Sequence, residues 1–199
     1  MEVRGKLVVF EGIDGTGKTS LCNEVFNYLN SRGISCISTF EPTYGKWGKI
    51  LRDSFSHKRL SPKEELELFI KDRKEHVSQI ILPAILKGKI VLCDRYYLST
   101  MAYQGARGFD VEEIKRQNEE FAPIPDVAFV LQLDVDKALH RISEKRGDKL
   151  NSFENREYLK KVATFFDSFN WPWIEKLDAS KNKKFLISKV IDVIDKLDC

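Results

Sequence analysis

The chain is expected to fold as an α/β domain, a five-stranded parallel sheet with helices on both faces. Two patterns predict it: apolar runs of strand length alternate with helical periods from end to end, and no repeat, low-complexity tract or Gly/Ser linker breaks that rhythm. Length agrees. A chain of 199 residues suits one domain, taken as 1–199, and buries enough surface to fold without disulfides or a structural metal.

Leu7–Phe10 reads as a short buried strand. Lys18–Arg32 follows as a helix closed by Gly33, and Ile34–Phe40 is the second strand. From Ser61 to Lys87 the residues Leu66, Phe69, Ile70 and Val77 recur at helical spacing. Ser61 can cap that helix, Pro62 suits its first turn, and Pro83 is expected to kink its end. Ile90–Cys93, Val127–Leu133 and Ile174–Leu177 complete the strands. Helices are expected over 97–104, 110–121, 136–146, 153–170 and 183–197, while 41–60 receives no element.

Composition narrows the function classes. With 42% hydrophobic and 32% charged residues, the chain can build a core and is not a disordered segment. Lys and Arg exceed Asp and Glu by 33 − 30 = 3, too small a surplus for a dedicated binder of long nucleic acid. Met1–Lys6 is too charged for a secretory leader, and no run approaches 18 apolar residues, so no membrane span is expected. Cys22, Cys36, Cys93 and Cys199 form no CxxC pair; three sit in apolar runs and read as buried thiols in a reducing, cytoplasmic compartment. His57, His76 and His140 lack metal-ligand spacing and are expected on surfaces or helix faces.

The strongest local signal is Gly12-Ile13-Asp14-Gly15-Thr16-Gly17-Lys18-Thr19, which matches the phosphate-binding pattern G-x-x-x-x-G-K-[ST] between a strand and a helix. Glycines let backbone N–H groups converge on phosphate oxygens, and the helix N-terminus adds partial positive charge. Lys18 supplies a cation for the β- and γ-phosphates of a nucleotide such as ATP, and the Thr19 hydroxyl can hold Mg²⁺. The third strand ends in Asp94-Arg95-Tyr96. Asp94 stands where such folds place a second Mg²⁺-organising carboxylate, and Arg95 can clamp a phosphoryl group.

Together with Ser99-Thr100-x-Ala102-Tyr103-Gln104-Gly105, Phe69-x-x-x-Arg73, Pro125-Asp126 and Asp178-Ala179-Ser180, these motifs resemble the thymidylate (dTMP) kinase family of P-loop nucleoside monophosphate kinases. The resemblance covers nearly the whole chain. It implies a P-loop nucleoside triphosphate hydrolase type of fold with a short lid near 141–152. It also implies transfer of the ATP γ-phosphoryl group to dTMP with Mg²⁺, and commonly a homodimer. Residue by residue, Gly12 to Thr19 would hold ATP and Asp178 would lie near adenine. Asp14 would take the acceptor 3′-hydroxyl, Phe69 would stack on thymine, and Arg73 would bond its O4. Ser99, Thr100 and Gln104 would read the base edge, Tyr103 would sit under the sugar, and Arg95 would grip the acceptor phosphate.

Two departures stand out. Many bacterial members carry Arg-Glu-Pro-Gly-Gly-Thr where this chain has Phe40-Glu41-Pro42-Thr43-Tyr44-Gly45, and other members carry the Pro-x-Tyr-Gly that Pro42-x-Tyr44-Gly45 matches. The resemblance implies that Glu41 lies in the acceptor site and that Tyr44 contacts the acceptor phosphate in place of the missing arginine. Some members place an arginine in the phosphate-binding loop, where this chain has Gly15 and Thr16; the catalytic cation is then expected from the lid, with Arg141 and Arg146 as candidates. The family's Arg-Phe-Glu after the lid is Ser152-Phe153-Glu154 here. A kinase for another nucleoside monophosphate or for a deoxynucleoside stays open, as does a nucleotide-binding switch. Against the switch, Asn182-Lys183-Lys184-Phe185 lacks the acid of a guanine reader.

Overall fold

A computed structural model describes residues 4–56, 60–146 and 155–197. Strands β1 (Leu7–Glu11), β2 (Cys36–Phe40), β3 (Ile90–Asp94), β4 (Val127–Gln132) and β5 (Ile174–Asp178) form one parallel sheet in the order β2-β3-β1-β4-β5. The composition of each strand explains its place. The apolar β1, β3 and β4 are buried and central, whereas β2 and β5, with Ser38, Thr39, Glu175 and Lys176, are partly exposed edges. A staple across the chain starts β1: Leu7 N–H donates to Asp126 Oδ2 at 2.7 Å.

Alternation along β1 feeds two cores. Val8 and Phe10 pack with α1 (Lys18–Ser31) and α9 (Lys183–Ile194) on one face. Leu7 and Val9 pack on the other with α3 (Pro62–His76), α5 (Tyr97–Gly105), α7 (Val135–Arg146) and α8 (Arg156–Ser168). The expected five-stranded parallel sheet, covered on both faces, is therefore what the chain forms. α2 (Lys46–Ser56), α4 (Leu82–Leu86) and α6 (Val111–Glu119) complete the helices of the described residues.

The structure differs from expectation in four places, each with a local cause. α2 occupies a stretch given no element. Ile34 belongs to the cap of α1 rather than to β2, because its N–H bonds Leu29 O at 3.0 Å behind a left-handed Gly33. The long helix after Ser61 is not continuous: α3 ends at His76, and Val77–Ile81 forms a π turn before α4. Pro83 lacks the N–H that would bond the carbonyl four residues back, and the widened turn relieves the crowding of its ring. His76 is buried at 3% exposure rather than on a surface; His140 is exposed, and His57 lies outside the described residues.

With β1 flanked by β3 and β4, the crevice where the chain reverses its direction of travel across the sheet opens beyond the C-terminal ends of these strands. The expected motifs converge there.

Candidate active site

The loop from Gly12 to Gly17 leaves β1 and enters α1. It needs glycine for space as well as conformation. At Gly12, φ is +130° and a Cβ would stand 2.5 Å from Leu131 O; at Gly15, φ is +83° and a Cβ would stand 2.3 Å from Ala138 O. Gly17 caps α1 without a side chain, which leaves the first N–H groups of that helix to the cleft. Lys18 is 5% exposed and its ammonium donates to Ile13 O at 2.8 Å across the loop. Burial, then the neighbouring Arg95, lower its pKa to about 8. The Thr16 hydroxyl also turns inward, to Ile13 O at 2.8 Å, so Thr16 offers the cleft its backbone rather than its side chain.

At the start of α1 the Thr19 hydroxyl donates to Asp94 Oδ2, while Asp94 Oδ1 is buried with no hydrogen-bond partner among the described residues. A hydroxyl oxygen beside an unpartnered carboxylate oxygen is a donor set for a hard cation, and these two residues fit Mg²⁺.

Arg95 follows with φ +70°, a left-handed backbone rare for a non-glycine residue. Its guanidinium meets Asp14 Oδ1 at 2.5 Å and Ser99 Oγ at 2.9 Å. The Tyr103 hydroxyl donates to the other Asp14 oxygen at 3.1 Å. Burial alone would raise the Asp14 carboxyl, but Arg95 and Lys18 outweigh it and hold the group at about 2. Asp14 is thus an acceptor at any physiological pH. Glu11, one turn of chain earlier, is pushed up to about 7 by burial, offset in part by Ser99, Arg95 and the Tyr96 and Ser99 N–H groups.

Two clefts meet here. One, lined by Gly15, Gly17, Lys18 and Thr19, also takes Asp14, Arg95 and Arg141. The other is a cavity of about 180 Å³ between Phe55, Phe69 and Pro42, floored by Ser99, Thr100 and Tyr103 and closed by the same Asp14 and Arg95. Of the other expected residues, Arg141 belongs to the first cleft and the rest of those described lie outside both. Arg73, 1% exposed, sits behind the cavity: it donates to Glu41 at 2.8 Å from Nε, to Asn118 at 2.6 Å and to Thr100 Oγ1 at 3.0 Å. Glu41 also takes His76 Nδ1 at 3.0 Å, which makes it a partner of Arg73 and His76 instead of a wall of the cavity. Gln104 is fully buried against Glu65, and Tyr44 is 80% exposed, edge-on to Phe40 with Arg52 over its ring. On the other side, Arg141 donates to Ala179 O at 3.1 Å. Asp178, held below the usual carboxylate range by the Ser180 O–H and N–H, lines a separate cavity of about 690 Å³. Arg146 ends α7 and its side chain, like 147–152 of the expected lid, lies outside the described residues.

A family model described as thymidylate kinase matches residues 10–190. The chain belongs to the thymidylate kinase family. Among its relatives, thymidylate kinase of Desulfotalea psychrophila is 50% identical over 179 residues, 89% of this chain and 88% of the relative. That of Brachyspira hyodysenteriae is 46% identical over 192 residues, 96% and 94% of the two chains. That of Akkermansia muciniphila is 47% identical over 189 residues, 95% and 91% of the two chains. Among the described residues no helix is long and apolar enough to cross a membrane.

Within this member of the thymidylate kinase family, sequence reasoning missed Phe55, Asn118 and the inward side of Glu41. Phe55 had a signal, since Trp47, Ile50, Leu51 and Phe55 recur at helical spacing. Asn118 had none: it meets Arg73 across 45 residues.

Proposed function

We propose that the chain is a phosphotransferase that moves the γ-phosphoryl group of ATP to dTMP, giving ADP and dTDP. One observation carries this reading: Asp14 and Arg95 line both the phosphate-binding cleft and the adjoining cavity. A donor in the first and an acceptor in the second would meet at that ion pair, and positioning of this kind is the main demand of phosphoryl transfer.

In this reading the backbone from Gly12 to Gly17 and the Lys18 ammonium hold the ATP phosphates. Arg141, at the same cleft, is the described candidate for the cation beside the transferring group, with Arg146 the second candidate on α7. Mg²⁺ held by Thr19 and Asp94 would neutralise phosphate charge. Asp14, ionised down to about pH 2, accepts from the acceptor 3′-hydroxyl, and Arg95 grips the acceptor phosphate. Phe69 stacks on the base, with Phe55 and Pro42 as the facing apolar walls. Thr100 takes Arg73's N–H on its oxygen, which leaves its own proton to donate to a base carbonyl; Arg73 therefore acts on the base through Thr100. Tyr103 underlies the sugar and crowds a ribose 2′-hydroxyl. The Ser99 proton goes to Glu11, which supports a positioning part for Ser99 over base reading. Gln104 and Glu41 support this wall from behind, Tyr44 serves at the rim of the acceptor site, and Asp178 borders the adenine end.

A cytoplasmic location fits the free thiols Cys22, Cys36 and Cys93. A homodimer fits the exposed apolar side chains Ile80, Leu82 and Leu86 around the π turn, and sedimentation tests it. One domain with a lid around 141–152 completes the proposal.

The deciding assay is ADP release with dTMP, dUMP, dGMP, UMP and thymidine as acceptors. dTMP is expected to give the highest kcat/KM. A better rate with another monophosphate moves the substrate, preference for thymidine makes the enzyme a nucleoside kinase, and ADP release independent of any acceptor removes the transfer reaction.

A further inference from the structure

Glu11, the last residue of β1, lines neither cleft, yet its carboxylate is fully buried and three donors converge on it. The Tyr96 and Ser99 N–H groups reach Oε1 at 2.8 and 3.2 Å, and the Ser99 hydroxyl reaches Oε2. The Ser99 oxygen in turn accepts from Arg95 at 2.9 Å, and Arg95 continues to Asp14 at 2.5 Å. The same turn carries Arg95 at φ +70°, a conformation an L-residue keeps only when its surroundings over-determine it. Two anchors do so here: Arg95 N–H bonds Phe10 O at 2.9 Å, and Glu11 holds the next residues, Tyr96 and Ser99.

We propose that Glu11 is a positioning residue for phosphoryl transfer, holding the left-handed turn and, through Ser99, aiming Arg95 at the acceptor phosphate. The proposal rests on the reading of Arg95 as the acceptor-phosphate grip. Its chemistry is one of hydrogen-bond polarity. Above about pH 7, where Glu11 is ionised, its carboxylate only accepts, so Ser99 gives its single proton to Glu11 and turns its lone pairs to Arg95. An amide of the same shape cannot do this for all three donors: whichever way it flips, its NH₂ faces either Ser99 Oγ or two backbone N–H groups. Glu11→Gln therefore preserves volume and breaks the polarity of the chain Glu11–Ser99–Arg95.

The experiment compares Glu11→Gln, Ser99→Ala and the double variant in the full chain, after dTMP-dependent ADP release has been measured for the wild type. A failure of the substrate reading shows in that first measurement and is separate from the variants. Each single variant is expected to fold with an unchanged circular dichroism spectrum and to raise the KM for dTMP about tenfold, the loss of one charge-assisted hydrogen bond. The KM for ATP should stay within about twofold. Because both substitutions cut one link, the double variant should be within about twofold of the worse single. Ser99→Ala leaves both backbone bonds to Glu11 in place, so it decides the matter if Glu11→Gln does not fold. An unchanged KM for dTMP in folded Ser99→Ala, equal rises in both KM values, or losses that multiply in the double variant would each overturn the proposal.

Discussion

Replacing Glu41 by alanine removes the carboxylate from a guanidinium that has almost no water. Arg73 and Glu41 are 1% and 5% exposed, and they meet at 2.8 Å through Nε and 2.6 Å through NH2. Breaking one side of such a buried pair costs about 3–5 kcal/mol, most of it from the charge left uncompensated. Asn118 and Thr100 still accept from Arg73, which places the expected loss at the lower end, about 3 kcal/mol. For a chain of this size that lowers the melting temperature by roughly 6–12 °C. Urea and thermal melts followed by circular dichroism measure it. The double variant E41A/R73M removes the stranded charge as well and should recover more than half of the loss. The pH dependence has a definite sign. Burial would raise the Glu41 carboxyl, but Arg73 and His76 outweigh it and hold it below its ordinary value of 4.5. The folded state therefore binds fewer protons than the unfolded one, and the contribution is full above about pH 4.5 and lost as pH falls through the lower folded value. The gap between wild type and Glu41→Ala should close in acid. A loss under about 1 kcal/mol at neutral pH, or no recovery in the double variant, would refute the reasoning.

Three further outcomes are expected. Lys18→Ala should abolish turnover, and because burial brings the Lys18 ammonium down to about 8, wild-type kcat/KM for ATP should fall above that pH; a flat profile to pH 10 would remove Lys18's charge from the binding step. Gly12→Ala should cost about 2 kcal/mol or more in a urea melt, since its Cβ would meet Leu131 O at 2.5 Å on a left-handed backbone, and a loss below about 0.5 kcal/mol would contradict the geometry. Thr100→Val removes the hydroxyl that accepts from Arg73 and should raise the KM for dTMP about tenfold with the KM for ATP unmoved; equal effects on both would show that Thr100 merely supports the fold.

The parts of the site legible in the sequence are those made by neighbours along the chain. Gly12 to Thr19 is contiguous, and Asp94-Arg95 sits at the end of a short apolar run of the length of an interior strand. The residues the sequence hid depend on distant partners or on space. Gly48 lies inside α2, where a Cβ would come within 2.0 Å of Thr43 O, a close contact that only the folded chain creates. Arg73 shares a helix with Phe69 at the spacing of one face, but only packing puts Phe69 on the cavity and Arg73 behind it.

Sequence was therefore enough for the sheet, its helical cover, the phosphate cradle and the family, because hydrophobic period, glycine placement and strand-end acids are local properties. It could not say which polar atoms face the cavity and which face each other. Ser99, Gln104, Glu41 and Arg73 look alike in the sequence as candidate contacts. Folding commits each of them to a partner between 4 and 88 residues away, and Thr100 keeps a proton for the cavity because Arg73 has taken its oxygen. Buried polar atoms must be paired, and a pairing across the sheet is settled by which strands lie side by side.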